Sequence, residues 1–510
     1  MSNEPILFLK VRKNTVIFLL VLFLLVGLAA RLIDFTDLPL DFASTRQLHS
    51  LIMARGIYYE FETTQVEAIP EAVRNFGITV GNAEPRIEPP VMEYLVAYTY
   101  QLIGGESIFV GRFYAILFWV LGGIPLFLLM QKLTSVNGAF AALAIYLFMP
   151  FGIIASRAFQ PDSLMVLGIL LALYFQTRWM QNDSIKNTIL AGLFTGLAIL
   201  IKATSIFFVG VPLVGIVLSM GINKWIKNWH VYLMAFLALV PALLFNVISA
   251  TVGGNAGSIF GSRFFPSLFI DPKWYLRWFM TAKSVVNYFP LIIGLLVLFL
   301  IKKKEYWIFY ACLWLGYLLF GFTFAYHIYT HNYYHLPLIP MVAIGFGVMF
   351  EIVFTNLEEL NPHWFPRLLI MGILIMSIGL CVFKARSDLL EANYRHETAY
   401  WELLGEKIGM DKAVIALTHD YGYRISYWGF INPKLWLTRG DQVVSELSGA
   451  TNPEFETLFK QKTEGKDYFL VTLIGDFEAQ TDLHDFLFSN YSYKQGEGYY
   501  LFDLKNPISE

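Results

Sequence analysis

The first strongly apolar stretch, TVIFLLVLFLLVGLAA (residues 15–30), is followed closely by the polar stretch LPLDFASTRQLH (residues 38–49). Lys10, Arg12 and Lys13 precede the apolar stretch, which is nearly long enough to cross a bilayer, since a spanning helix takes about 20 residues. Its start resembles a signal peptide, but further apolar runs follow, so we interpret it as a retained signal anchor. The Asp, Arg and His of the second stretch then lie where the chain leaves the membrane.

The composition is typical of a polytopic membrane protein. Of 510 residues, 56% are hydrophobic and only 15% are charged, whereas about a quarter of the residues of soluble domains are charged. The net charge of −2 gives no basic surface that could pair with a phosphate backbone, so we expect no nucleic-acid partner. The expected partner is the lipid bilayer. The two cysteines lie inside apolar runs, which indicates small buried residues rather than a disulfide framework.

Apolar runs long enough to be membrane spans recur along most of the chain. They lie near residues 14–33, 109–131, 138–156, 163–180, 188–201, 204–220, 231–250, 284–301, 306–325, 336–353 and 367–384. The fifth and sixth runs share Lys202, which predicts a tight hairpin. The predicted fold is therefore mainly α, a polytopic transmembrane helix bundle of about 11 spans in residues 1–384.

Basic residues in the short loops predict the orientation. Those near the N-terminus and those at Lys132, Lys186, Lys224 and Lys302 fall on one side, which is cytoplasmic by the positive-inside rule. The loop 251–283 breaks the pattern with four basic residues, and its tryptophans suit an interfacial helix at headgroup depth. The N-terminus is then cytoplasmic in a cytoplasmic or inner cell membrane, and two long segments are extracytoplasmic: a first outer loop, at about 34–108, and the tail.

The tail, residues 385–510, alternates two kinds of pattern. Strand-like runs at 413–418, 468–473 and 499–504 are separated by helical runs at 399–408 and 454–461. Such alternation is typical of a small α/β domain.

Asp41 and Glu88 are two acids of the first outer loop, where charge near a membrane is costly unless it is paired or functional. Asp41, which Arg46 and His49 follow, could act as a general base if it reaches a hydroxyl. Taken alone, it is better explained as the N-cap of an amphipathic helix at 44–55. Glu88 precedes two prolines and, taken alone, is better explained as an acid at a helix start.

Arg157, Asp162 and Lys202 lie at the outer ends of later spans. Pro161 suits a first helical turn and Asp162 the positive end of that helix, but Arg157 and Asp162 could equally form a binding pair at the mouth of a cavity. Lys202 either extends to the membrane interface or holds an anionic lipid headgroup.

The run HIYTHNYYHLPLIP (residues 327–340) repeats a histidine every four residues. A helix would stack His327, His331 and His335 on one face, as metal ligands are stacked. Pro337 opposes a helix, and the run has no carboxylate. A divalent metal is therefore possible but not favoured, and we assign no metal ligand and no cofactor.

The order and spacing of several weak motifs resemble one family. They are the Asp after the first span, the Glu-Pro-Pro helix start, Gly111-Arg112, the Arg and Pro-Asp of the second outer turn, GLAILIK and HNYYHLPLIP. Over roughly residues 14–385 the chain resembles the polytopic glycosyltransferases of GT-C fold, in the branch with protein O-mannosyltransferases and the aminoarabinose transferase of lipid A (family 39-like). Two departures are Phe42, where many relatives have Glu, and Asn332, where others have Asp.

The resemblance implies transfer of a sugar from a polyprenyl-phosphate carrier to a glycan, lipid or protein acceptor on the outer face. Asp41 would be the base, and Lys202 with Arg157 would hold the carrier phosphate. Further substrate-binding residues would shape the sugar and acceptor pocket: Arg46, Glu88, Asp162, His331, Tyr333 and Tyr334. We expect an inverting, in-line displacement.

Two other classes of function compete with this interpretation. A transporter or flippase of lipid-linked sugars should show charged or broken spans near the midplane and two related halves, neither of which the sequence has. A non-catalytic membrane scaffold would tolerate replacement of Asp41, Arg157 and Lys202.

Overall fold

The computed structural model describes residues 4–6, 9–251, 264–360, 364–449 and 453–508, most of which are helical. They divide into two compact units. Unit 1 comprises Met1–Thr36, Pro85–Met92 and Phe109–Ala392. Unit 2 comprises Asp37–Glu84, Glu93–Ile108 and Asn393–Glu510, so most of the first outer loop and the tail belong to one unit. The predicted division at residue 384 falls inside the helix Trp364–Leu389.

Two predicted spans, 138–156 and 284–301, are broken within their length, and each of the eleven overlaps a helix. These helices are Lys13–Arg31, Ile108–Leu133, Val136–Phe148, Asp162–Gln181, Ile185–Ile201, Ile206–Ser219, Trp229–Thr251, Tyr288–Leu296, Lys304–Thr323, Leu338–Leu360 and Trp364–Leu389. By length and apolar composition, seven helices of the described residues could cross a membrane, or eight if one bent pair is counted as a span. The helices at 136–148, 185–201 and 203–219 are apolar but shorter. The predicted helix bundle is confirmed.

Short elements precede or connect the long helices of unit 1. They are the strands β1 (Glu4–Ile6) and β2 (Leu9–Val11), the α-helices Pro150–Ala155, Ile222–Trp225, Pro272–Val286 and His327–Thr330, and the 3-10 helices Ala203–Ser205, Pro266–Ile270, Val297–Phe299 and Asn332–His335. The helix Pro272–Val286 and the following Tyr288–Phe299 are bent by 103°. Asn287 makes this break with a φ of 61° and a ψ of 165°, a conformation that residues with a Cβ rarely adopt.

The predicted interfacial segment is only partly described, because residues 252–263 lie outside the described residues. In the remainder, Trp274 and Trp278 are buried within the protein. Their indole N–H groups donate to the Ala325 carbonyl (2.7 Å) and the Tyr317 hydroxyl (2.9 Å). Both side chains therefore find their hydrogen-bond partners inside the helix bundle, and an interfacial position of this helix stays a prediction.

A buried arginine stabilises the break between two helices of unit 1. The helix Val136–Phe148 ends where Pro150 begins the next helix, which leaves carbonyls without helical donors. Arg31, at the end of the first span, donates to the Leu147 carbonyl (2.9 Å) and to the Ser156 hydroxyl (2.7 Å). It thereby fixes the turn that contains Arg157.

Unit 2 contains a five-stranded sheet in the order β4 (Lys434–Leu435), β3 (Val414–Leu417), β5 (Tyr468–Val471), β7 (Tyr499–Pro507) and β6 (Tyr491–Gly496). β3 runs parallel to β4 and β5, whereas β7 is antiparallel to β5 and β6. Apolar side chains of β3, β5 and β7 form a core with Phe459, Phe477 and Leu487 of the covering helices. The predicted α/β character of the tail is confirmed.

Unit 2 also contains helices from both of its parts. They are Ser44–Tyr59, Thr64–Glu67, Glu71–Ala83, Val91–Ile103, Glu397–Ile408, His419–Gly422 (3-10), Tyr423–Gly429, Arg439–Leu447, Phe455–Thr463, Ile474–Glu478 and Thr481–Asn490. The first and third pack closely, because a Cβ at Gly56 would lie 2.9 Å from the Gly81 Cα.

Arg55, which forms an ion pair within the loop part of unit 2, also joins that part to the tail part. The Arg55 guanidinium lies 2.8 Å from Glu106 and donates to the Tyr427 carbonyl at 2.6 Å. It also lies over the Tyr427 ring at 3.8 Å. Burial lowers the pKa of Arg55, but the charge of Glu106, the neighbouring tyrosines and the hydrogen bond to Glu106 together outweigh burial, so that the pKa is raised. The helix Ser44–Tyr59 is thereby bound to the tail of the same unit.

Candidate functional site

Lys202 and Asp162 form an ion pair in unit 1. The helix Ile185–Ile201 ends at Ile201, and Lys202 takes an extended conformation (φ −153°, ψ 113°) before the next helical turn. Asp162 is the first residue of its helix, so its carboxylate also lies at the positive end of the helix dipole. The Lys202 ammonium donates to both carboxylate oxygens at 2.9 Å, although only 9% of Lys202 and 2% of Asp162 is exposed. Two predicted site residues, 40 positions apart, therefore meet directly.

Two tyrosines border this ion pair. The Lys202 Nζ lies 5.7 Å from the Tyr333 ring centroid and 5.9 Å from that of Tyr334, within the range of a cation–π attraction. Both tyrosines belong to the 3-10 helix Asn332–His335. We call Asp162, Lys202, Tyr333 and Tyr334 the cation cluster. Within the described residues, Asp162 is the only hydrogen-bond partner of the Lys202 ammonium, which carries three donors.

The three histidines do not share a helix face, because His331 is extended between two short helices. The His327 and His331 rings stack at 5.0 Å, and His331 lies 5.5 Å from the Tyr333 ring. The ring of His335 is buried elsewhere, between the Tyr317 hydroxyl and the Ile328 carbonyl, each at 2.7 Å. In the described part of the chain, no group of three or more His, Cys, Asp or Glu side chains could hold a metal ion.

Arg157 stabilises the turn after the first span. Its two terminal guanidinium nitrogens donate to the carbonyls of Ile33 and Asp34, both at 2.8 Å. Asp34 has a φ of 49°, a conformation that is strained for a residue with a Cβ and that needs such support. Arg157 is almost fully buried, so its charge acts from inside unit 1.

Asp41 lies in unit 2, in a half-buried turn before the helix Ser44–Tyr59. The N-cap of that helix is Ala43, which has a φ of 45° and makes no side-chain cap. The explanation of Asp41 as the N-cap is therefore wrong, because the turn places it two residues too early. Gln47 donates to the carbonyl of Phe42 at 2.6 Å and so fixes the backbone next to Asp41.

Arg46 and His49 lie one turn apart on the same helix, close to residues that sequence analysis missed. His49 is 3.4 Å from the Glu84 carboxylate, to which the Tyr423 hydroxyl donates at 2.8 Å. Burial raises the pKa of Glu84, against the smaller effect of that hydrogen bond. Burial and Glu84 raise the pKa of Tyr423, which the charge of Arg46 lowers. Glu84 and Tyr423 gave no sequence signal, because each is an ordinary loop or tail residue locally.

Glu88 lies in unit 1, half-buried in the bend that leads into the helix Val91–Ile103. Pro89 and Pro90 separate it from the first helical residue.

Comparison with known proteins identifies the fold. Residues 87–245 match the sequence model of the family described as dolichyl-phosphate-mannose-protein mannosyltransferase. This segment contains Glu88, Arg157, Asp162 and Lys202, whereas Asp41 and Tyr333 lie outside it. No curated protein matches the sequence.

Solved structures match nearly the whole chain. The structure of ArnT from Cupriavidus metallidurans bound to undecaprenyl phosphate is similar with a TM-score of 0.58 and 12% identity, over 96% of this chain and 98% of that chain. The archaeal oligosaccharyltransferase AglB from Archaeoglobus fulgidus, in complex with an inhibitory peptide and a dolichol-phosphate, matches with a TM-score of 0.59 and 12% identity, over 96% and 74%. The chain has the GT-C fold of these proteins, as predicted from its motifs.

Proposed function

We propose that this protein is a membrane glycosyltransferase that moves a sugar from a polyprenyl-phosphate carrier to an acceptor on the outer face of the membrane. The observation that supports it most directly is the cation cluster within a GT-C fold. A buried ammonium beside two tyrosines costs solvation free energy, and a bundle that needs only stability gains little from it. ArnT and AglB, with the same fold, have been solved with undecaprenyl phosphate and dolichol-phosphate.

Lys202 is the group to which we assign the carrier phosphate. The negative charge on this phosphate grows as the glycosidic bond breaks, and a fixed cation in a water-poor site stabilises that charge. Asp162 accepts two hydrogen bonds from the ammonium and holds it in place, while the third donor can bind a phosphate oxygen. Arg157 adds a second positive charge, although two of its nitrogens already bind carbonyls.

Asp41 is the group to which we assign the acceptor proton. In the proposed in-line displacement, the acceptor oxygen attacks the anomeric carbon and its proton passes to the Asp41 carboxylate. The bond from that carbon to the phosphate oxygen breaks, its electron pair stays on the phosphate, and the configuration inverts. Asp41 is half-buried rather than fully exposed, and Gln47 fixes the adjacent backbone, as expected of a base held in one geometry.

The remaining predicted residues would recognise sugar and acceptor. We assign this role to Tyr333, Tyr334 and His331 beside the cation cluster, to Glu88, and to Arg46 in unit 2. Rings such as those of Tyr333 and Tyr334 offer flat surfaces against which the apolar face of a sugar can pack.

The direct test is transfer by the purified full-length chain in lipid nanodiscs. A panel of undecaprenyl-phosphate sugars, each labelled in the sugar, is mixed with membranes from a strain that lacks the protein. We expect label to move to membrane material with at least one of these donors and with no nucleotide sugar. Absence of transfer from every polyprenyl-phosphate donor, in a preparation that binds undecaprenyl phosphate, would contradict the proposal.

Orientation is tested by chemical labelling in intact cells, starting from a variant without the two native cysteines. Ser448→Cys, on the tail, should react with a membrane-impermeant maleimide. Lys186→Cys, at the start of the helix Ile185–Ile201 and on the side that the basic residues place inside, is the matched control and should react only after permeabilisation. The opposite pattern would reverse the proposed topology.

A further inference from the structure

The helix Ser44–Tyr59 begins shortly after Asp41, the proposed base, and its own sequence leaves its start poorly stabilised. Ala43, at the N-cap, has no side chain that can accept a hydrogen bond, and the first turn contains no acidic residue. The helix therefore supplies no anion of its own for the backbone N–H groups and the positive dipole end at its start.

Asp420, from the tail of the same unit, supplies the missing carboxylate. One of its oxygens accepts hydrogen bonds from the hydroxyls of Ser44 (2.6 Å) and Thr45 (2.9 Å). These are the first two residues of the helix. A negative charge at this position is favourable because the dipole of the helix is positive there.

The Asp420 carboxylate is itself held from the other side. Arg424 donates to its second oxygen at 2.5 Å and to Glu397 at 3.1 Å. The side chains of Asp420 and Arg424 are only 12% and 13% exposed. The carboxylate therefore cannot turn away from the helix without breaking an ion pair that is largely shielded from water.

The backbone around Asp420 has a conformation that needs such support. Asp420 and Tyr421 have φ values of 50° and 54°, and Gly422 follows with 80°. Two successive left-handed residues with side chains are uncommon, and they persist where the surrounding structure holds them. Ala43, on the opposite side of the contact, is also left-handed. The hydrogen bonds of Asp420 to Ser44 and Thr45 thus connect two strained turns, the one at Ala43 and the one at Asp420 and Tyr421.

We propose that Asp420 is a positioning residue, which holds the start of the helix Ser44–Tyr59 and with it the turn that carries Asp41. This inference rests on the proposed function for the role of Asp41, but the contacts themselves do not depend on it. The tail would then contribute to catalysis indirectly, because it would determine the position of the proposed base.

Hydrogen–deuterium exchange of the intact protein tests the positioning without any activity. We expect Asp420→Ala to raise exchange in peptides covering residues 38–48 by at least about tenfold, because the hydrogen bonds to Ser44 and Thr45 are lost. Asp467→Ala is the matched control, since it removes a tail carboxylate that binds the Ala413 N–H (2.8 Å) instead. Equal exchange at 38–48 in both variants would overturn the inference.

The double variant Ser44→Ala/Thr45→Val leaves the tail sequence intact. It tests the same contact if Asp420→Ala does not fold. It should reproduce the same local increase in exchange. Adding Asp420→Asn to this pair should then increase exchange at 38–48 little further, because the shared contact is already gone. A fully additive increase would show that Asp420 acts elsewhere.

Transfer kinetics test the consequence for the base. A misplaced base lowers kcat, by about 10- to 100-fold, while the KM for the donor stays within about threefold. Asp467→Ala should change neither. Unchanged kcat in Asp420→Ala, with Asp41→Asn inactive, would overturn the positioning role and leave the proposed function standing. An active Asp41→Asn would instead refute the base assignment.

Discussion

Removal of Asp162 from the cation cluster should destabilise the protein far more than removal of both charges. The pair is 2.9 Å apart, with side chains that are 11% and 2% exposed. At an effective dielectric constant of about 20, the direct attraction over this distance is about 6 kcal/mol, and desolvation offsets much of it. Asp162→Ala leaves the Lys202 ammonium buried without its carboxylate, which costs about 3–5 kcal/mol in comparable sites.

The double variant Asp162→Leu/Lys202→Met separates stability from function. Since an apolar pair of similar volume is often as stable as a buried ion pair, we expect it to unfold within about 1 kcal/mol of the original protein. We also expect it to transfer no sugar, because the cation assigned to the carrier phosphate is absent. Lys202→Met alone should be intermediate in stability and equally inactive.

Unfolding by SDS in bicelles, followed by tryptophan fluorescence, measures the differences in free energy of unfolding among these variants. Transfer from a labelled undecaprenyl-phosphate sugar is measured on the same preparations. If Asp162→Ala lost less than about 1 kcal/mol, the ion pair would not be the interaction that we describe. A stable double variant with normal transfer would exclude Lys202 as the phosphate ligand.

Three further outcomes are expected elsewhere in the chain. Gly316→Ala should destabilise the helix bundle by about 1–3 kcal/mol, because the new Cβ would lie 2.0 Å from the Phe207 carbonyl oxygen. Gly372→Ala, whose Cβ would have no atom within 4 Å, is the control, and the same free energy of unfolding in SDS for both variants would contradict the close packing at Gly316. Glu106→Ala should lower the free energy of unfolding by about 3 kcal/mol, because it removes the ion-pair partner of the buried Arg55 guanidinium. Thermal unfolding of the full chain measures this change, and a loss of less than about 1 kcal/mol would contradict the prediction. Burial raises the pKa of Glu84 above its ordinary value of 4.5, so the protonated carboxyl stabilises the fold below pH 4.5, and this stabilisation is lost as the pH rises through the pKa of the folded state. Glu84→Gln should reduce this loss of stability with rising pH, and an unchanged dependence of the free energy of unfolding on pH would refute the prediction.

The positions of the spans could be predicted from the sequence because hydropathy accumulates over a whole run of residues. Because hydropathy is summed over the whole run, it does not indicate where the chain bends within that run. Nothing in the sequence of the run at 284–301 indicates that the chain bends by 103° at Asn287, within this run. The tryptophans of the preceding helix suited the membrane interface by residue type, yet Trp274 and Trp278 face the protein.

The members of the cation cluster could be chosen from the sequence, but their contact could not. Lys202 and Asp162 each stood out as a charge at the end of an apolar run. Their pairing depends on how three helices pack, which no local pattern encodes. Asp420 and Glu84 were missed for the opposite reason: they are charged residues in polar segments, and only their distant partners distinguish them.

Transfer by Asp41→Asn, at saturating donor, tests the central claim most directly. The variant keeps the size of the side chain and removes its ability to accept the acceptor proton. We predict that it binds undecaprenyl phosphate as the original protein does, while its kcat falls by about 10³-fold or more, and that Asp467→Asn keeps full activity. Transfer by Asp41→Asn within about threefold of the original rate would contradict the account.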